Sequence, residues 1–270
     1  MFRRNERLIC CITSIIVGSF IFGYSVQAAG QLNDSDGDGL PDAWEESVYH
    51  SNPHVADTDG DGYTDRVEIE RGFNPSTTST LMETDLDHDG LSDRLELLFR
   101  TDPTLPDTDG DAFSDGSEVL RGFSPTSTSL VPLEKSIAIH LDTQKLETLV
   151  MNIPIRAYVV STGVPRSPTP IGTYKVLSKS PRAWSSVGRL WMPFWMHFSG
   201  RGHGIHELPE WPGGRKEGES HLGKPASHGC VRLGIGPAKE LYDWAPIGTR
   251  VVVVKPPAPV RGVRKALSKK

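Results

Sequence analysis

The sequence predicts a mostly β chain whose first half is an irregular acidic repeat module with short helices. Three observations carry this. The net charge of −5 over 270 residues divides unevenly: Gln31 to Val131 holds 24 acids against 5 Lys and Arg, whereas Pro132 to Lys270 holds 9 acids against 21. One spacing of acids recurs four times in the acidic half, at Asp34, Asp57, Asp85 and Asp107. From Lys135 onward apolar and polar residues alternate with the period of strands. A hydrophobic share of 37% is low for one continuous core. Two modules of different chemistry follow.

Residues 1–29 have Arg3, Arg4 and Arg7, then an apolar stretch from Leu8, then the small residues Ala28 and Ala29. This is the three-part pattern of a secretory signal peptide. The expected product is exported to the periplasm or cell envelope, and the membrane enters only if the segment stays uncleaved as an anchor. A basic tail spans 256–270, and no nucleic-acid partner is expected.

The four acidic stretches, within residues 33–130, read "DSDGDGLPDAWE", "DTDGDGYTDRVE", "DLDHDGLSDRLE" and "DTDGDAFSDGSE". Each sets acids at positions 1, 3, 5, 9 and 12, the oxygen-ligand spacing of an EF-hand loop, with an apolar residue at position 7. A tight loop turns alternate side chains inward round a hard cation, and the glutamate closes the shell. The expected Ca2+ ligands are Asp34, Asp36, Asp38, Asp42 and Glu45; Asp57, Asp59, Asp61, Asp65 and Glu68; Asp85, Asp87, Asp89, Asp93 and Glu96; Asp107, Asp109, Asp111, Asp115 and Glu118. A solvated acidic linker has no need to hold five acids in register four times. The second and fourth loops and their sequels repeat at an offset of 50 residues, as two tandem units would. Each loop feeds one short helix closed by an Asn/Asp/Ser-Pro turn, with no entering helix. Ala112 stands where the loop needs a positive φ, which weakens that site by roughly 1 kcal/mol. This layout resembles the bacterial thrombospondin type 3 repeats, which implies a calcium-filled, core-poor spacer.

In residues 134–255, "SIAIHLD" and "KLETLVM" flank a turn at Asp142-Thr143-Gln144. "IRAYVVST", "GTYKVLSK" and "TRVVVV" read as further strands, and "GPAKELYDWA" as the one helix. Pro and Gly density predicts long irregular loops between Ser178 and Ser227.

Cys230, in "PASHGCVRL", is the single cysteine outside the leader, where Cys10 and Cys11 lie. A lone thiol in an exported chain packs, binds metal or reacts. His203, His206, His221 and His228 cluster round it in sequence, but no paired metal-ligand element is present. A thiol activated by histidine remains beside the packing and zinc readings.

"PASHGCVRL" resembles the signature of the L,D-transpeptidase (YkuD) catalytic domain. "KSIAIHLDTQKLETLV", "VVSTGVPRSPTPIGTYKVLSK" and "LWMPFWMHFSGRGHGIH" resemble further parts of that domain, in order. The resemblance implies a β-sandwich with a short helix, needing no catalytic cofactor. It makes Cys230 the nucleophile and His206 the general base and acid. Ser227, His228 and Gly229 match motif positions, the N–H groups near Gly229 and Cys230 are oxyanion-hole candidates, and Arg232 is a candidate for a substrate carboxylate. Glu207 stands where this family has a glycine, and the stretch from His206 to Ser227 is long, so His203 and His221 stay open as partners. The implied activity is acyl transfer on peptidoglycan stem peptides through a thioester with loss of D-alanine, to an amine of another stem or an envelope protein's lysine. Two alternatives differ: an L,D-carboxypeptidase using water, and a non-catalytic calcium-dependent wall-binding or adhesion protein. The opposite charges of the modules further suggest that, without calcium, the acidic one lies against the basic catalytic face and reduces access.

Overall fold

The computed structural model describes residues 32–255. The leader and the basic tail read from the sequence lie outside these residues. Among the described residues, no helix is long and apolar enough to cross a membrane.

Each acidic loop runs into a short helix: α1 (Asp42–Trp44, continuing as a π-helical turn Glu45–Tyr49), α2 (Asp65–Arg71), α3 (Asp93–Phe99) and α4 (Asp115–Arg121). Each element ends on a left-handed residue, respectively His50, Gly72, Arg100 and Gly122, which closes the last turn and turns the chain sharply. The loops associate in pairs. Asp38 of the first loop accepts the Arg66 backbone N–H at 3.0 Å, and Asp89 of the third accepts that of Gly116. Leu40, Tyr49, Ile69 and Leu97 form one small core, so apolar burial is confined to a few residues per pair.

The second half is built of β1 (Lys135–His140), β2 (Lys145–Val150), β3 (Ile153–Val159), β4 (Gly172–Lys175), β5 (Ser178–Ser185), β6 (Leu190–Ser199), β7 (His203–Glu207), β8 (Val231–Leu233), α5 (Pro237–Trp244) and β9 (Arg250–Val254). Two sheets, ordered β3-β2-β1-β9-β4 and β5-β6-β7-β8, enclose one core that includes Ile137, Ile139, Leu146, Met196, Phe198, Ile205, Val231, Leu241 and Val251. β1 pairs in parallel with β9, and β7 in parallel with β8; the remaining strand pairs are antiparallel.

The chain is mostly β, but it departs from the sequence reading in one stretch. Residues 178–207, expected as irregular loop, form β5, β6 and β7. Pro181 falls where the β5–β6 pairing skips a residue, and Phe194 opposite it takes φ 53°. The pairing keeps one register across this gap, so the proline interrupts the ladder without a bulge, and the partly exposed faces on either side blur the alternation that would have announced a strand. The third strand also begins earlier than the sequence indicated. Met151 and Asn152, both at positive φ, form a two-residue turn into Ile153.

The two halves meet through apolar side chains. Leu91, Leu95, Phe99 and Val119 pack with Val150, Ile153, Ile155, Leu133 and Trp244. Lys135 donates to the Trp244 carbonyl at 3.1 Å and lies over its ring. None of these residues lines the cleft described below, and the contact between the halves is a hydrophobic seam. Leu91 is wholly buried in that seam. Leu91→Ala is expected to lower unfolding stability by about 2–5 kcal/mol, whereas Met82→Ala, at an exposed site, stays within about 0.5 kcal/mol. Denaturant unfolding of both variants checks this.

Candidate active site and acidic loops

Parallel pairing of β7 with β8 sets Ile205 beside Val231 and His206 beside Arg232. Cys230 therefore sits at the mouth of β8, next to the strand that carries His206. The loop before it is fastened from both sides. Ser227 Oγ donates to the Cys230 carbonyl at 2.5 Å and accepts the Gly229 N–H at 3.1 Å. Thr169 Oγ1 donates to the Gly229 carbonyl at 2.9 Å, and Ser167 Oγ to that of His228 at 3.1 Å. Gly229 has φ 109°, and a Cβ there would fall 2.7 Å from His203 Cδ2, so glycine is required by both conformation and space.

Cys230, His206, His203, His228, Ser227, Arg232, Arg201 and Trp195 line one cavity of about 250 Å³. No carboxylate belongs to its lining among the described residues, so it suits an anionic ligand. His206 is buried, and its Nδ1 lies 2.6 Å from the Glu207 carbonyl. A carbonyl only accepts, so Nδ1 carries the proton and Nε2 keeps its lone pair. Burial, reinforced by the Arg232 charge, lowers the His206 pKa to about 4 although the Glu207 bond opposes it. Burial likewise raises the Cys230 thiol, against the Gly204 N–H and the Arg232 charge that favour the thiolate. At neutral pH the pair is a neutral thiol and a neutral imidazole. The unprotonated Nε2 leaves His206 chemically able to accept a proton.

The other histidines part company with the site to different degrees. His203 faces the same cavity, with Nδ1 2.9 Å from Ser199 Oγ. His221 lies outside the lining and meets Glu217 at 3.0 Å. His197 stacks on Trp195, and Trp195 in turn tilts against His206 with ring centroids 5.8 Å apart. His228 is exposed at the rim. Of the two expected oxyanion N–H groups, that of Gly229 is already held by Ser227. Arg232 is largely buried, and its Nη1 meets both Glu217 oxygens at 3.1 and 2.9 Å. Glu207 is buried and paired with Lys216 across the long loop.

Sequence reasoning missed Gly204, Trp195, Thr169 and Glu217. A Cβ on Gly204 would come 2.4 Å from the Trp195 ring, and a glycine inside a strand pattern is a usable signal for such close approach. Glu217 gave no signal, because only the fold brings it to Arg232.

In the acidic loops, the carboxylates at positions 1, 3 and 5 converge in all four: Asp34, Asp36 and Asp38; Asp57, Asp59 and Asp61; Asp85, Asp87 and Asp89; Asp107, Asp109 and Asp111, each set with oxygens within 4.8 Å of one another. The position-12 residues Glu45, Glu68, Glu96 and Glu118 are buried, each with at least one oxygen lacking any hydrogen-bond partner, as have Asp36, Asp59, Asp85, Asp87 and Asp109. Burial first, and then the facing aspartates, push Glu96 up to about 9 and Glu45, Glu68 and Glu118 up to about 7. Orphaned, crowded carboxylate oxygens fit a hard cation. The position-9 residues do not join these sets. Asp65 accepts from Thr58 N and Oγ1 at 2.8 and 2.7 Å, and Asp42, Asp93 and Asp115 make the corresponding bonds to Ser35, to Leu86 and Thr84, and to Thr108. They clamp the loop entrance. Positions 4 and 6 both take positive φ, including Ala112 at 75° and also His88 at 64°.

Comparison with known proteins agrees with this geometry. Residues 134–253 match the L,D-transpeptidase catalytic domain (YkuD), and residues 34–56, 57–75 and 85–106 match the bacterial TSP3 repeat. The YkuD proteins of Bacillus licheniformis and Bacillus subtilis are 26% and 24% identical over 117 residues, which is 43% of this chain and 64% of each of theirs. Solved structures of L,D-transpeptidases from Mycobacterium smegmatis (22% identity, TM-score 0.41, 46% of this chain and 60% of that one) and Stackebrandtia nassauensis (28%, 0.39, 45% and 55%) are similar to it. The chain carries an L,D-transpeptidase catalytic domain preceded by bacterial TSP3 repeats.

The lowered His206 pKa has a sign that can be checked. Between pH 6.5 and about 4 the unfolded chain holds a proton on this residue that the folded chain does not, so its contribution makes stability fall as pH drops. The stability difference between wild type and His206→Asn is therefore expected to shift against the wild type across that window; a difference independent of pH would contradict the assignment.

Proposed function

We propose that this chain is an exported, cysteine-dependent L,D-transpeptidase acting on peptidoglycan stem peptides, with a calcium-binding repeat module over 33–130 and a catalytic domain over 134–255. The observation that carries this is the shared cavity of Cys230 and His206, basic at its rim and free of carboxylates among its described lining. Cys230 Sγ attacks the carbonyl of the third, L-centred residue of a donor tetrapeptide while its proton passes to His206 Nε2. The tetrahedral intermediate collapses to a thioester, and terminal D-alanine leaves with the proton from His206. An acceptor amine then attacks the thioester and gives its proton to His206, forming the new amide and freeing the thiol. Arg232 lies where it can meet a stem carboxylate, and Ser227, Gly229 and Thr169 hold the nucleophile's loop. The acceptor is an amine of a neighbouring stem or of an envelope protein; water would give an L,D-carboxypeptidase.

The lone thiol is what separates this reading from a wall-binding module. Cys230→Ala is expected to lower turnover of a stem tetrapeptide at least about a thousandfold. Mass spectrometry of the wild-type protein should show a thioester adduct on Cys230. Binding of stem peptide without turnover or adduct in the wild type would favour the module.

In the repeat module, the position 1, 3, 5 and 12 carboxylates would hold Ca2+, and the ion would supply the positive charge that offsets their repulsion. Chelator is expected to lower the midpoint of thermal unfolding and millimolar Ca2+ to restore it. Asp87→Asn should reduce the number of ions bound by about one in calorimetric titration. An unfolding midpoint indifferent to chelator would overturn the calcium reading.

A further inference from the structure

We propose that Glu217 is a positioning residue: from the long loop between β7 and β8 it pins Arg232 through Nη1 and sets the charge that Arg232 presents to Cys230. This rests on the catalytic reading above and deepens it.

Four observations meet here. Glu217 is about nine-tenths buried, and so is the arginine it chelates. Its two oxygens both fall on Nη1, at 3.1 and 2.9 Å, while Arg232 Nε has no partner and Arg232 still lines the cavity. Glu217 is not itself part of the lining, so it reaches the guanidinium from the far side. Finally, the loop does not depend on this carboxylate for closure. Its backbone is tied by Glu217 N–H to the Pro209 carbonyl at 2.8 Å and Trp211 N–H to the Arg215 carbonyl at 2.8 Å, and its side chains by Lys216 with Glu207.

The electrostatic setting is compact. From β7 and the turn before it, His206, His203 and Arg201 face the cavity together with the Gly204 N–H; from the thiol's own loop comes His228, and from β8 Arg232. Arg232 acts on both members of the catalytic pair, favouring the thiolate of Cys230 and the neutral form of His206. Among these described groups the charges are all positive or titrate to positive, and Glu217 is the acid that compensates the innermost of them. His221, half exposed at 3.0 Å from the same carboxylate, is its second partner. With Glu217 in place the arginine is fixed and partly neutralised, and the thiol stays protonated until substrate arrives. Glu217 thus gives the long connection between β7 and β8 a function in the reaction.

The test is the pH dependence of Cys230 alkylation by iodoacetamide, followed by mass mapping of the full chain. Glu217→Gln keeps a hydrogen-bond acceptor for Arg232 but removes the charge. Its alkylation midpoint is expected about 0.5–1 pH unit below wild type, and its rate below the midpoint about threefold to tenfold higher. Glu217→Asp, with its charge drawn back, should fall between the two. KM for the tetrapeptide should rise more in Glu217→Gln than kcat changes. A Glu217→Gln midpoint equal to or above wild type overturns the proposal; should that variant not fold, an Asp variant at or above wild type does so. Alkylation is read without turnover, so a protein inactive on stem peptides still decides the question.

Discussion

The parallel register of β7 with β8 is the constraint on which the candidate site depends. Pairing His206 with Arg232 and Ile205 with Val231 puts the histidine on one strand and the cysteine at the entrance of the next. A slip of one residue would turn each side chain to the opposite face of the sheet and separate the pair. Parallel neighbours cannot be joined by a tight turn. The stretch from Leu208 to Ser227 is the connection that this geometry demands, and the Glu207–Lys216 pair helps to hold it closed. Ser227 and Thr169 then set the loop's exit, and Gly229 lets it pass His203.

The acidic half is organised by a different force. Its side chains bury little apolar surface, and its position-12 glutamates lie inside, each with an oxygen that no described residue satisfies. A buried, unpaired carboxylate is costly, and the raised pKa values record that cost. The fold therefore places its acids in two separate roles. Those at positions 1, 3 and 5 converge and those at position 12 are buried, while that at position 9 bonds the residues at the loop's entrance.

Much of this was legible in the chain. The acid spacing marked the loops because ligand geometry favours one residue type at each position, and the Ser-His-Gly-Cys stretch marked the thiol through its resemblance to the L,D-transpeptidase signature. What escaped notice has common physical causes. β5 and β6 were hidden because both faces are partly exposed and Pro181 falls inside the ladder. The role of Asp65 and its counterparts was hidden because spacing alone cannot tell an inward oxygen from one turned to the loop's first N–H. Glu217 and Trp195 reach the site only through tertiary contact, which no local pattern encodes.

The seam between the halves bears on how a core-poor repeat and a catalytic domain work as one protein. Leu91 occupies position 7 of the third loop, and its side chain is buried with Phe99, Val119 and Val150. Its backbone belongs to the loop that gathers Asp85, Asp87 and Asp89, and its side chain belongs to the packing against β2. Asp89 of the same loop accepts the Gly116 N–H at the start of α4, which supplies Val119. Any change in the order of this loop pair is therefore felt directly at the seam. α3 extends the connection, since Leu97 packs into the first pair's core while Leu95 and Phe99 pack into the seam. The cleft lies apart from that contact, and so the seam transmits stability rather than occupancy of the active site.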